Sequence, residues 1–467
     1  MRICCHRFIS FTSRLCHADM AWRFIVALFF LCLANFHPYL CRQATAAWQV
    51  ETVDYGGLVG NYTSLAFDSS GNPAISYQAN GNLVYAQFDG KLWVKTIVEF
   101  AGSRKRFGER YVRGEYSSLA FDASDTPAIS YYDATNSSLK YAHFNGESWD
   151  ITTVDSSGDV GWFTSLDFDA AGNPAISYND STIPFHGNLR YAHFNGTSWD
   201  ITTVDNTGNN VGMYTSLDFD PTGNPAISYF DDTSKDLKFA RFDGSNWVIE
   251  AVHRVGDVGT FTSLVFDVAG NPAISYNDST IPFHGNLRYA YFNGESWDIT
   301  TVDSSGDVGW YTSLAFDPTG NPAVSYRDVT NAILKYAHFD GTSWDITVVD
   351  SAGDAGLYSS LAFDASGRPA ISYQGNYTLK YAHLVPDIVT TTTTTTSTST
   401  ITSTTTTNAT STTESMSKSK TIPSNVSVNN HSPFRKVVIR DYGVGVQYIE
   451  PRHNLNILVS TRGGLRP

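Results

Sequence analysis

Seven near copies of "NPAISY" begin at Asn72, Thr126, Asn173, Asn224, Asn271, Asn321 and Arg368, spaced 47 to 54 residues apart. A period of this length, repeated seven times, leaves few architectures open. Each unit divides into four short segments, typified by "YTSLAFD", "PAISY", "LKYAHF" and "WDITTVD". All are rich in β-branched and aromatic residues and are bounded by turn signals, which marks them as strands. Asp-x-x-Gly-Asn-Pro joins the first two, as in Asp169–Pro174. There Gly admits a positive φ, and Pro opens the next strand where its missing N–H costs little. Asp-Gly or Asn-Gly joins the last two, at Asp89-Gly90, Asn145-Gly146, Asn195-Gly196, Asp243-Gly244, Asn293-Gly294 and Asp340-Gly341. These dipeptides suit the type I′ turn, whose twist matches that of the flanking strands.

The central motif occurs seven times but the hairpin only six. The last third strand, Leu379–Leu384, has no partner after it, and Trp48–Asp54 reads as a fourth strand with nothing before it. A ring resolves both mismatches, because the N-terminal strand completes the last unit and no sheet edge is left open. The prediction is an all-β fold: a seven-bladed β-propeller of four-stranded blades over residues 47–385. An open solenoid would leave the split unit unexplained. The phrase "GNPAISYNDSTIPFHGNLRYA" stands twice without change, at Gly172–Ala192 and Gly270–Ala290. It is the same half-blade in blades three and five, and its identity records duplication without assigning a role.

Outside the repeat the composition changes. All five cysteines, Cys4, Cys5, Cys16, Cys32 and Cys41, precede the first blade strand. The same stretch carries the apolar run Ala21–Phe36 and the small-x-small triplet Ala44-Thr45-Ala46. Residues 1–46 therefore read as a signal peptide, with Met20 as an alternative start and Ala47 as the first mature residue. The apolar run is short for a membrane span, and none is expected in the mature chain. Residues 386–432 are a Thr/Ser-rich stalk or linker, and residues 433–467 a short tail with some strand character and no assigned role. A secreted or cell-surface protein is expected. Its sequons would begin at Asn61, Asn136, Asn179, Asn195, Asn277, Asn376, Asn408, Asn425 and Asn430. Lys and Arg total 31 against 45 Asp and Glu, a formal charge of −14, which argues against a nucleic-acid partner.

In a propeller, the loops from strand two to three and from strand four to the next blade emerge on one face. Here that face would gather Trp162, Asp180, Phe185, His186, Asp278, Phe283, His284 and Trp310. Aromatic plates stack on pyranose rings and carboxylates accept hydroxyl hydrogen bonds, so this set suits carbohydrate. The same residue types also fill inter-blade gaps and cap turns. Asp-Ser-Ser-Gly-Asp-Val-Gly, at Asp155–Gly161 and Asp303–Gly309, offers oxygens to calcium, but it lacks the alternation and closing Glu of an EF-hand loop and plain turn formation explains it better; no other cofactor or metal is expected. His253 and the basic loop Ser103–Gly114, with Arg104, Lys105, Arg106, Arg110 and Arg113, depart most visibly from the repeat. No compact acid–base pair on a single blade stands out, so no catalytic residue is assigned.

The hairpin Phe-Asn/Asp-Gly-x-x-Trp resembles a shortened Asp-box of sialidase-like propellers, without its leading Ser. That resemblance implies a fold-stabilising element, not sialidase chemistry. The repeat as a whole is similar to those of uncharacterised secreted microbial propellers and, at fold level, to propeller lectins. The expected function is binding of carbohydrate or an extracellular protein through the loop face. A glycoside-acting hydrolase or lyase and a structural surface spacer are the alternatives.

Overall fold

The computed structural model describes residues 47–101, 112–385, 434–439 and 446–451. It contains seven four-stranded antiparallel sheets arranged as blades of a ring. Six blades are contiguous: Val59–Glu99, Arg113–Asp155, Val160–Asp205, Val211–His253, Val258–Asp303 and Val308–Asp350. The seventh combines Leu357–Phe363, Pro369–Gly375 and Thr378–Val385 with Ala47–Asp54 as its outer strand. This is the split-unit closure that the hairpin count requires. Separately, Phe434–Ile439 pairs antiparallel with Val446–Pro451. The proposed leader (residues 1–46), the stalk and the loop residues Arg104, Lys105, Arg106 and Arg110 lie outside the described residues.

Three sets of contacts run around the whole ring, each repeated at all seven blade junctions. Near the axis, a Thr or Ser hydroxyl on each inner strand donates to a backbone carbonyl one blade back, from Thr63 to Tyr358 (2.9 Å) through to Ser359 to Tyr311 (2.6 Å). The next Ser accepts from a Leu amide one blade on, as when Ser64 takes the Leu119 N–H at 3.0 Å. Midway out, a fully buried second-strand tyrosine bonds the residue that ends the preceding outer strand. Tyr77 meets Asp54 at 2.8 Å and Tyr229 meets Asp205 at 2.6 Å. Towards the rim, each outer-strand Trp packs edge-on against an aromatic ring of the preceding blade at 5.2 to 5.4 Å. The Trp48–Tyr336 member of this set ties the N-terminal strand to blade six. Side chains between the blades thus interlock at three radii, which fixes blade order without disulfides.

The inner strand depends on one glycine per blade. Gly212, typical of the set, has φ +87°, and a Cβ there would lie 2.7 Å from the Leu189 backbone of the preceding blade. Only glycine meets both conditions. The residues just beyond it can therefore turn toward the axis.

Candidate ligand-binding face

Two residues after that glycine, each inner strand carries an aromatic side chain: Tyr62, Tyr116, Phe163, Tyr214, Phe261, Tyr311 and Tyr358. All seven adopt φ between 53° and 56°, the left-handed region that bulky residues avoid. Neighbouring rings lie 4.5 to 4.8 Å apart and are tilted 46° to 54°; the Tyr358–Tyr62 contact closes the circle. Strain of order 1–3 kcal/mol at each position is offset by aromatic contacts worth about 0.5–1.5 kcal/mol per pair, with inter-blade hydrogen bonds adding more. Burial, the largest cause, raises the pKa of the five tyrosines, to about 12 for Tyr214 and Tyr358. Their hydroxyls are therefore neutral donors and acceptors. Tyr311, Tyr358, Tyr62 and Tyr116 follow one another in an unbroken run of phenol rings, flanked by Phe261 and Phe163. The result is a rigid aromatic floor across the axis.

Above this floor the repeat stops repeating. The residue between the glycine and the aromatic pairs across to the second strand, giving Asn61–Gln78, Glu115–Tyr132, Trp162–Asn179, Met213–Phe230, Thr260–Asn277, Trp310–Arg327 and Leu357–Gln374. Seven copies share a framework here but no two pairs are alike. Trp162 donates to Asp159 (3.0 Å) and lies 5.1 Å from Tyr132, whose hydroxyl also bonds Asp159 at 2.5 Å. Trp310 donates to Asp307 (3.0 Å) and lies 5.3 Å from Phe261. Arg327 pairs with Asp354 and donates to the Ala355 carbonyl at 2.8 Å. The two tryptophans stand three blades apart in a ring of seven, on opposite sides of the mouth.

The structure separates the other expected site residues into two groups. Asp180 and Asp278 are only 3% exposed and do not face a ligand. Burial opposes their ionisation, but hydrogen bonds from Thr182 and Thr280, with the Arg190 and Arg288 guanidinium groups, still hold both carboxyls below the usual range. They occupy the framework slot that Asp133, Asp231 and Asp328 fill with Lys140, Lys238 and Lys335. Phe185 and Phe283, by contrast, are each 88% exposed and take φ of 64° and 62°. His186 and His284 beside them are exposed. Among the described residues neither Phe makes a ring–ring contact, so these tips are not joined to the Trp162 and Trp310 clusters. The sequon residues Asn179 and Asn277 lie inside their blades. Both side chains are buried and donate from Nδ2 to the Val211 and Val308 carbonyls (2.7 Å each), which withholds the acceptor atom in the folded blade. Asn195, at a hairpin tip, is exposed, as are Asn136 and Asn376; Asn61 is half-buried. Asn408, Asn425 and Asn430 lie outside the described residues.

The remaining irregularities find structural partners. Asp155 is taken by Tyr178 (2.7 Å) and Asp159 by Trp162, while Asp303 is taken by Tyr326 (2.7 Å) and Asp307 by Trp310. The oxygens considered for calcium are thus committed to separate protein partners. His253 fills the carboxylate slot opposite a core tyrosine and meets Tyr276 at 3.0 Å; burial lowers its pKa. Arg113 pairs with Asp133 and Glu99. In the hairpins, Asn195 Oδ1 accepts from the Thr197 and Ser198 amides at 3.0 Å, the stabilising role that the Asp-box resemblance implies.

Two further breaks escape a motif-by-motif reading. Inner strands contain Ala66, Ala120, Val265, Ala315 and Ala362 at one position, but Asp167 and Asp218 in blades three and four. These two carboxyls hydrogen-bond to each other across the junction, and the Phe168, Phe219 and Phe266 amides donate to the pair. Burial first, and for Asp167 the charge of Asp218, raises both pKa values, so the pair shares a proton, as close carboxylates do. The second break is Asp125, which stands at φ 63° where the other six first turns have glycine. The signal for both was a charged residue at a repeat position otherwise held by a small apolar residue or by glycine.

No protein-family model and no curated protein sequence matches the chain. Solved propellers do match in fold. A polysaccharide lyase, an ulvan lyase solved with a glucuronate–sulfated rhamnose ligand, is 14% identical over 71% of this chain and 96% of its own, with a TM-score of 0.49. A streptogramin B lyase is 8% identical over 72% and 98%, with a TM-score of 0.49. The NanB sialidase of Streptococcus pneumoniae is 13% identical over 71% and 70%, with a TM-score of 0.41. At this distance the likeness is one of fold alone, and the seven blades are read from the sheets of this chain.

Proposed function

We propose that this is a secreted or surface-displayed propeller that binds carbohydrate at its axial mouth. One observation carries the reading. The repeat is constant around a rigid aromatic floor and varied immediately above it, where the half-buried Trp162 and Trp310 stand at the same repeat position as Asn61, Glu115 and Thr260. Flat apolar rings with a few fixed polar groups suit a pyranose, whose faces are apolar and whose rim is polar. Preformed rings also reduce the ordering cost of binding. The test is a glycan array with the parent and the double variant Trp162→Met, Trp310→Met. Methionine already occupies this position at Met213, so the variant retains apolar packing. Loss of at least tenfold in affinity with an unchanged fold supports the assignment; unchanged binding of every glycan refutes it.

A glycoside-acting enzyme is the second reading, favoured by the proton-sharing Asp167–Asp218 pair. Hydrolysis or elimination products from a polysaccharide panel, lost in Asp167→Asn, would establish it.

A further inference from the structure

A groove of about 460 Å³ opens between blades one and two, among the first turns and the strand-three-to-four hairpins, on the face opposite the mouth. Phe144 and Trp149 form an aromatic wall, with ring centroids 5.5 Å apart, and Asp68, Asp125, Tyr85 and Gln87 contribute polar groups. Two independent features distinguish it from a simple packing gap. Asp125 holds φ 63° where glycine, at φ 75° to 88°, serves the other six blades. Asp enters this region more readily than most side chains, and here it sets a carboxylate on the groove wall where the other blades have only a glycine hydrogen. Its carboxylate accepts the amide and hydroxyl of Ser69, both at 2.7 Å, and each oxygen keeps a free acceptor direction. The second feature is Tyr85. The residue is 7% exposed, and among the described residues its buried hydroxyl finds no hydrogen-bond partner. Such a group costs free energy until something bonds it.

The ligand chemistry follows from the lining. Among the described residues no Lys or Arg lines the groove, and two carboxylates do. Anionic ligands are disfavoured, whereas hydroxyl donors are matched by Asp68 and Asp125, and an apolar ring face by Trp149. We propose that this groove is a second binding site, for a neutral saccharide, with the Tyr85 hydroxyl and the Asp125 carboxylate bonding its hydroxyl groups. Burial, then the charges of Asp68 and Asp125, raises the Tyr85 pKa, which keeps that hydroxyl a neutral donor.

The experiment is a glycan array of neutral and acidic oligosaccharides with the full chain, Asp125→Gly, Tyr85→Phe and the Trp162→Met, Trp310→Met double variant, each with a melting curve. Asp125→Gly writes in the residue of the other six blades, so its melting temperature should equal or exceed the parent's. The expected result is a set of neutral glycans whose binding falls at least tenfold in both groove variants and persists in the tryptophan variant. If both groove variants bind every glycan as the parent does, the groove proposal is overturned, whatever the mouth binds. If the groove set survives while the tryptophan variant loses nothing, only the mouth reading fails. A parent that binds no neutral glycan overturns the groove proposal outright.

Discussion

The inner ring and the mouth directly above it are built from the same strands, yet they follow opposite rules. In the ring, a hydroxyl, an aromatic and a glycine recur at each blade, because each must fit the same neighbour at the same distance. One residue away, at Asn61, Glu115, Trp162, Met213, Thr260, Trp310 and Leu357, only tryptophan recurs, and only once. Duplication supplies identical copies, and close packing permits little drift where contacts repeat sevenfold. Positions free of that constraint can diverge. The contrast separates residues that hold the propeller from residues available to recognise something.

The largest effect should come from breaking closure. Deleting residues 47–55 removes the outer strand of blade seven, the Trp48–Tyr336 contact and the Asp54 partner of Tyr77 and Lys95. The exposed edge should aggregate, and cooperative melting should be lost. A monomer with parental melting would break the ring argument.

A smaller effect, with a defined sign, attaches to the acid pair. The folded pKa values of Asp167 and Asp218 lie above the unfolded value of about 4. The folded chain thus keeps a proton that the unfolded chain releases. The pair's stabilising contribution is complete below about pH 4 and is lost as pH rises through the elevated values. Asp167→Ala with Asp218→Ala, the residue of most other blades, should raise stability at pH 8 by on the order of 2 kcal/mol, with less gain toward pH 4. Denaturant melts across that range check it; a gain that grew on acidification would contradict the shared proton.

The smallest stability change is expected at the loop tips. Phe185→Ala and Phe283→Ala remove side chains that are 88% exposed and should shift stability by less than about 0.5 kcal/mol. Any loss of glycan binding in these variants would extend the recognition surface outward from the mouth; a large drop in melting temperature would show hidden packing.

Much of this architecture was legible because it depends on local chemistry. The Asn-Gly and Asp-Gly hairpins, the Pro-initiated second strands and the unmatched half-units at the two ends imply blades, their number and their closure. The site was less legible, since side-chain direction is not written in composition. Asp180 and Asp278 looked like ligand groups, but Arg190 and Arg288 lie ten residues on and, across the hairpin, beside them. Even the doubled phrase behaves differently at its tip: in blade three the strand continues to Ile183 and pairs with His186, whereas in blade five it ends at Asp278. The buried parts of the two copies agree because packing dictates them. The exposed parts respond to weak local differences. Asp125, Asp167 and Asp218 were visible as breaks in the repeat, but their meaning depended on which blade edge each one met.

The central claim is that framework and mouth are separable, and paired measurements of melting and glycan affinity test it most directly. Tyr229→Phe strips the buried Asp205 of a 2.6 Å hydrogen bond and should cost about 2 kcal/mol while leaving glycan affinity at the mouth unchanged. Trp162→Met with Trp310→Met should do the reverse, reducing affinity at least tenfold with melting close to the parent. Contradiction would be either of two results: mouth variants that bind as the parent does, or a framework variant whose affinity at the mouth falls in step with its stability.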